Sequence, residues 1–463
     1  MASAQTKDEA LGTAPVGKLM FDLAMPAVAA QVINMLYNVV DRIYIGNIPG
    51  TGALALTGVG VTLPIILLVS AFAAFAGMGG APLASIQLGA GNRKGAEKIL
   101  GNCFTILLLI AVVLTVGFSL TKRPLLYLFG ASDAIIGYAE SYISIYLIGT
   151  LFVQLAMGLN TFISAQGNAT MAMLSVLLGA GVNIVLDPIF IFVFGMGVSG
   201  AALATILSQA ISAVWILRFL LSEKSGIRIR RENLRLDKKI VGKVMSLGIA
   251  PFIMQSTESL VSITLNSGLQ RYGGDLYVGS MTIIQSVMQM LVMPVQGITQ
   301  GAQPIMSYNY GARNYARVRK AFSLLLRVML IVSFSGFLLA VFLPGVLARL
   351  FTQDEQLIAI VKQMMPIFFG GIWAFGAQMA CQSTFMALGQ AKISLFLALL
   401  RKIVLLVPLA ILLPMILGGN VLGIYIAEPV ADVIASATTL TLFLLKRKTL
   451  LPSDKEAART NAG

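Results

Sequence analysis

Histidine is absent from the 463 residues, cysteine occurs twice, and charged residues make up only 11%. Without histidine, whose ordinary titration range spans neutral pH, a proton carrier has to be a carboxylate or, less readily, a tyrosine or lysine. Cys103 and Cys381 lie in separate apolar runs and form neither a disulfide framework nor a metal motif. No nucleophile, metal or nucleotide motif stands out, so no enzyme activity and no cofactor are expected. Soluble domains are about one quarter charged. This chain is instead 57% hydrophobic, with a mean hydropathy of +0.87. It reads as a polytopic membrane protein whose lasting partner is the lipid bilayer. Its apolar runs are too long and too numerous for barrel strands, which leaves helices as the only spanning solution.

A net charge of +14 could suggest a nucleic-acid partner, but the basic residues sit between apolar spans, where topology explains them and no nucleic acid is needed. Runs of about 20 residues place spans near 19–46, 53–88, 97–120, 135–158, 168–194 and 198–221. Six more fall near 245–272, 276–308, 317–344, 356–381, 392–417 and 421–445. Between the two sets, 222–243 is a basic linker with a helical turn or two. One side of the membrane collects Lys18, Arg93, Lys94, Lys98, the linker, Arg313, Arg317 and Lys446; the other has few, among them Arg42, Lys122 and Arg349. By the positive-inside rule both termini are cytoplasmic, residues 1–18 being a tail and not a signal peptide, in a multi-pass plasma-membrane protein.

The chain also repeats itself. A shift of 222 residues aligns Gly79 with Gly301, Pro82 with Pro304, Ser85 with Ser307, Gly89 with Gly311 and Asn92 with Asn314. Shifts of 225 and 223 align Pro26 with Pro251 and Gly200 with Gly423. The expected fold is therefore all-α, with twelve transmembrane helices in two pseudo-symmetric six-helix lobes. The amino lobe covers 1–221 and the carboxy lobe 244–463. Parallel repeats of this kind enclose a cavity at their interface.

The stretch 179–207 puts Asp187 inside a membrane-length apolar run. Such a carboxylate costs at least a few kcal/mol and usually faces a cavity or an ion path. Asn183 lies one turn earlier on the same face, and Pro188 leaves the carbonyl of Ile184 without its helical donor. Asp41 and Thr205 sit at a similar depth in the first and sixth spans. Two carboxylates in one dry pocket cannot both stay ionised without a cation, so Asp41, Asn183, Asp187 and Thr205 outline a proton or Na⁺ site. Plainer alternatives are a protonated Asp187 held by Asn183 at a kink, and an interfacial pair of Asp41 with Arg42.

Further candidates lie nearby. Tyr37 and Asn38, one turn below Asp41, offer polar partners. Gln255 and Glu258 in the seventh span, and Gln285, Met288 and Gln289 in a Met- and Gln-rich eighth, suit an adaptable cavity wall for substrate. Glu428 and Asp432 face Arg401 and Lys402, as a cluster that either neutralises itself or does more. Pro26 and Pro188 are candidate hinges.

The segments NVVDRIYIG, NIVLDPIFIFVFGMGVSGAALAT, PLASIQLGAGN and PIMSYNYGARN resemble those of the multidrug and toxic compound extrusion (MATE) transporters, especially bacterial ones. That resemblance spans nearly the whole chain. It implies twelve helices in two lobes of six, alternating access, and antiport of small-molecule organic cations against H⁺ or Na⁺, with Asp41, Asn183, Asp187 and Thr205 on the amino-lobe cation site; a monomer is expected. Glu258 is similar in place to an acid used by another branch of the family. That branch also carries an acid in the tenth span, where this chain has none, so coupling is expected in the amino lobe. A lipid-linked saccharide flippase, as distant relatives of this fold can be, is the alternative; it would need a strongly cationic cavity.

Overall fold

The computed structural model describes residues 7–452. The amino half runs α1 (Lys7–Thr13), α2 (Val16–Gly46), α3 (Gly52–Gly89), α4 (Arg93–Leu128), α5 (Ile136–Ile148), α6 (Thr150–Ala165), α7 (Ala169–Pro188) and α8 (Val198–Leu221). The carboxy half runs α9 (Lys238–Tyr272), α10 (Asp275–Gly311), α11 (Tyr315–Phe342), α12 (Pro344–Arg349), α13 (Glu355–Phe368), α14 (Ile372–Ala387), α15 (Ala391–Leu399), α16 (Val407–Ile416) and α17 (Leu422–Leu450). Among the described residues, eleven helices or continuous helical runs are long and apolar enough to cross a membrane. The pair α5 and α6, bent by 58° at Gly149, makes a twelfth. The fold is therefore the expected twelve-span, two-lobed one. Within 222–243 a 3-10 turn, Arg231–Asn233, is followed by the first turn of α9, which begins at Lys238.

The sequence repeat is the seam between the lobes. The closest lobe-to-lobe packing pairs α2 with α10 and α3 with α9. A methyl group at Gly89 would run into the carbonyl of Tyr308, and one at Gly311 into the carbonyl of Ile86. The 222-residue shift turns one contact into the other, so each lobe offers the same glycine to the same backbone position of its partner. Gly79 meets the backbone of Val244 and Gly248, and Gly301 that of Leu23 and Ala24. Small residues permit such approach of helix backbones in membranes. Asn92 and Asn314 cap α4 and α11 alike, accepting from the amides of Gly95 and Arg317 at 2.9 and 3.2 Å.

All these contacts lie toward the end of the bundle that carries the Lys/Arg-rich loops. Two lead-in segments reinforce that end. Before α2, the carbonyls of Leu11 and Ala14 accept from Arg317 at 3.1 and 2.7 Å, and Asn309 donates to Leu11 at 2.8 Å. Leu11, Val16, Leu19, Met20 and Leu23 join the carboxy-half core. Burying each stabilises by roughly 1.5–3 kcal/mol. The start of the chain thus packs on the lobe opposite to the one its sequence position assigns. Before α9, the linker docks on the amino half: Arg230 pairs with the buried Glu97 at 2.8 Å, Lys98 with Asp237 at 2.8 Å, and Asn102 accepts from the amide of Asp237 at 2.7 Å.

Candidate functional site

Between the lobes, beyond the seam, lies a cavity of about 590 Å³. Ser85, Pro304 and Ser307, which belong to the repeated motifs, reach its wall near the seam, and Asp41 and Arg42 reach it toward the opposite end. Tyr37, Asn38, Asp41, Thr205 and Gln255 all line it.

Asp187 and Asn183 are fully buried just behind that wall. Packing of α2 along α7 brings Asp41 to Asp187, so that the two carboxyl groups interact directly. Asn183 donates to Asp187 Oδ1 at 3.3 Å. Three oxygens in this group are buried without any hydrogen-bond partner: Asp41 Oδ1, Asn183 Oδ1 and Asp187 Oδ2. Such orphans are costly unless something fills them. Among the described residues neither carboxylate forms an ion pair, and Arg42, adjacent to Asp41, does not bridge it. Thr205 stands next to the ring of Tyr142, whose hydroxyl is within its hydrogen-bonding reach. The orphaned donor set is all oxygen, which suits hard cations such as Na⁺ or a proton shared between carboxyls. Directly after Asp187, Pro188 ends the α-helical ladder and the chain widens into a π turn, Ile189–Val193, a feature frequent at functional sites. Pro26 lies inside α2, fifteen residues before Asp41.

Other parts of the sequence reading need correction. Gln285, Met288 and Gln289 do not line the cavity; Met288 packs against the carboxy-half core. The wall from α10 consists instead of Gln296, Gln300 and Gln303. Those three repeat every three to four residues along one face. Glu258 does not line the cavity either and is tied to Lys402. Sequence reasoning also passed over Gln31, Asn34, Tyr142, Tyr146 and Gln209, which line the cavity. Neutral polar and aromatic side chains are cheap in a helix bundle and leave little trace in an apolar run.

Two pseudo-symmetric helical lobes, sealed against each other at one end around a polar-walled cavity, are the architecture of a membrane transporter. The chain belongs to the MatE family, whose model matches residues 26–189 and 251–412, in both halves of the repeat. It is thus a MATE transporter, as the motifs suggested. It is 24% identical over 454 residues to the multidrug export protein MepA of Staphylococcus aureus (strain NCTC 8325 / PS 47), covering 95% of this chain and 97% of that one. Among solved structures it superposes on a MATE protein in a bent conformation with a TM-score of 0.89 at 23% identity, covering 97% and 99% of the two chains. It superposes equally, at 22% identity and TM-score 0.89, on a multidrug resistance MATE family transporter described as outward-facing, with 97% and 100% covered.

Proposed function

We propose that this protein exports small organic cations across a plasma membrane in exchange for H⁺ or Na⁺ taken up at Asp41, Asn183, Asp187 and Thr205. The observation that carries the proposal is the set of three orphaned oxygens on Asp41, Asn183 and Asp187 beside the inter-lobe cavity. The relatives' names supply multidrug export, which this chain shares by family. The Lys/Arg-rich end, where the lobes are sealed, is assigned to the cytoplasm by the positive-inside rule. The conformation is then outward-facing.

Uptake of the external ion relieves the repulsion between the two carboxyls and lets α2 move at Pro26, while Pro188 and its π turn adjust α7. Glutamines and tyrosines on the wall accept varied apolar cations without a fixed charge pattern. One monomer holds a complete cavity, so a monomer suffices. The flippase alternative has less support: Arg401 and Lys402, the deep basic pair, are taken up by carboxylates, and Arg42 is the only basic residue on the described cavity wall.

The test is efflux of a fluorescent organic cation from proteoliposomes under separate pH and Na⁺ gradients, for wild type and Asp187→Asn. Gradient-driven transport lost in the variant is the expected result and identifies the ion. Full transport in the variant would make Asp187 structural.

A further inference from the structure

The carboxy lobe carries five charged side chains on α9, the junction of α15 with α16, and α17, the helices that correspond to α2, α7 and α8 of the amino-lobe site. Arg401 and Lys402 stand on the π turn Leu400–Leu406 between α15 and α16. Arg401 Nε donates to Asp432 at 2.7 Å, its Nη2 to Glu428 at 2.9 Å, and its guanidinium stacks over Phe375 of α14 at 4.8 Å. Lys402 pairs with Glu258 of α9 and donates to the carbonyl of Met254 at 3.4 Å. Four members have side chains exposed by 12% or less, whereas that of Glu258 is 59% exposed.

That exposure needs a reason. Glu258 is fourteen residues from the far end of α9, or about 21 Å at the rise of a helix. At such depth an open carboxylate faces a wet cleft and not lipid. Gln255, three residues earlier and so a close neighbour on the helix surface, already lines the inter-lobe cavity. A molecule in that cavity therefore has Glu258 within reach, and Glu258 is the only acid of the five that is open.

The two basic residues are not equivalent. Arg401 is fixed by a planar fork with both prongs used, whereas lysine is a point charge on a flexible stem. With all five ionised, three carboxylates face two cations, and the surplus negative charge lies with Glu428 and Asp432 beside Arg401. Lys402, next in sequence, has a charge to move toward when it leaves Glu258.

We propose that Lys402 is a tethered counter-ion that holds Glu258 while the cleft is empty and yields it to an organic monocation, making Glu258 a second cation subsite in the carboxy lobe, one helical turn beyond the cavity-lining Gln255. The exchange conserves pairing: the ligand's charge meets Glu258, and the released ammonium offsets the surplus at Glu428 and Asp432. This inference rests on the reading of the cavity as a site for organic cations, but not on which ion drives transport.

Equilibrium binding of tetraphenylphosphonium to the purified full-length protein tests it, with triphenylphosphine oxide as the neutral control. Lys402→Gln should bind the cation roughly fivefold or more tightly, because an internal competitor that occupies most of Glu258 lowers apparent affinity by the free fraction. Glu258→Gln should bind it several-fold more weakly, and the double variant should match Glu258→Gln; the neutral control should not change. A wild type that binds, with Lys402→Gln no tighter or with the gain kept in the double variant, overturns the inference and leaves the antiport reading standing. No binding by any of the four overturns both. Should Lys402→Gln fail to fold, Glu258→Gln alone decides, since its open side chain is the least structural of the five: unchanged cation affinity there overturns the subsite.

Discussion

The two lobes use the same three helices in opposite ways. In the amino lobe, α2, α7 and α8 bring together Asp41, Asp187 and Thr205; in the carboxy lobe, α9, the junction of α15 with α16, and α17 bring together Glu258, Arg401, Lys402, Glu428 and Asp432. The 223-residue shift that aligns Gly200 with Gly423 also sets Thr205 on Glu428. Yet among the described residues the amino-lobe carboxyls form no ion pair, and the carboxy-lobe ones have two basic partners. An acid without an internal cation has to draw its counter-ion from solution, and so responds to a gradient. An acid paired inside the protein can be structural, or can respond to a ligand able to displace its partner. On the proposed reading, the shared helices divide the labour through charge placement.

The largest effect should come from removing the unpaired acids. Asp41→Asn and Asp187→Asn should each lower gradient-driven efflux in proteoliposomes about tenfold or more, a loss of about 1.4 kcal/mol in coupling being a factor of ten. Glu428→Gln should leave the dependence on the gradient intact. If Glu428→Gln abolished it and Asp187→Asn did not, the assignment of roles would be reversed.

Next in size is the cost of disturbing the paired side. Removing one partner of a buried ion pair usually costs about 3–5 kcal/mol, because the remaining charge is stranded. Arg401→Met strands both Glu428 and Asp432 and should lower the unfolding temperature in detergent accordingly. Adding Glu428→Gln and Asp432→Asn to it should recover most of the loss. If Arg401→Met were silent, the cluster would already be wet, and the contrast between a dry paired lobe and a ready unpaired one would fail.

This contrast was only half legible in the sequence. Asp187 announced itself because a carboxylate in an apolar run has few harmless explanations, and the depth of each span was enough to place Asp41 near it. The glycines of the twin motifs revealed the repeat. That they form the seam, each against the other lobe's backbone, takes the packed helices to see. Arg401, Lys402, Glu428 and Asp432 were visible as charges, but their pairing depends on the rotation of α17 against the π turn, which hydropathy does not encode. Gln285 and Gln289 share a face with Gln296 by count, yet Pro294 interrupts the ladder between them, and the cavity lies on one side of that break. The docking of Leu11 on the opposite lobe left no trace, since a short polar stretch with one leucine reads as tail.

The seam offers a symmetric test. Gly89→Ala and Gly311→Ala each place a methyl group against a backbone carbonyl of the other lobe, and overpacking of that kind typically costs about 1–3 kcal/mol. Both should bias the lobes toward opening at the sealed end, read as faster labelling of Ser307→Cys by an impermeant maleimide added on that side. Equal effects are expected, because the contacts exchange under the repeat. A large effect from only one would show that the lobes differ at the seal as well as at their charges.

The smallest effect concerns a charge pair in water, which sets the scale for those in the membrane. Asp237 caps α9 through the amide of Lys239 at 2.9 Å and takes Lys98 at 2.8 Å. Lys98 first, and then that amide, hold the Asp237 carboxyl below the usual carboxylate range. A carboxyl depressed in the folded state adds stability above its unfolded pKa of about 3.9 and loses it as pH falls through the lower folded value. Lys98→Gln should therefore lower the unfolding temperature slightly at pH 7, and the difference should begin to shrink near pH 4 and close only as pH falls through the lower folded value of Asp237. Raised salt should shrink it too, as screening requires, whereas the loss from Arg401→Met should barely respond to salt. Similar salt sensitivity in the two variants would mean that water reaches Arg401, and that the carboxy-lobe cluster is a surface network inside the cleft and not a buried one.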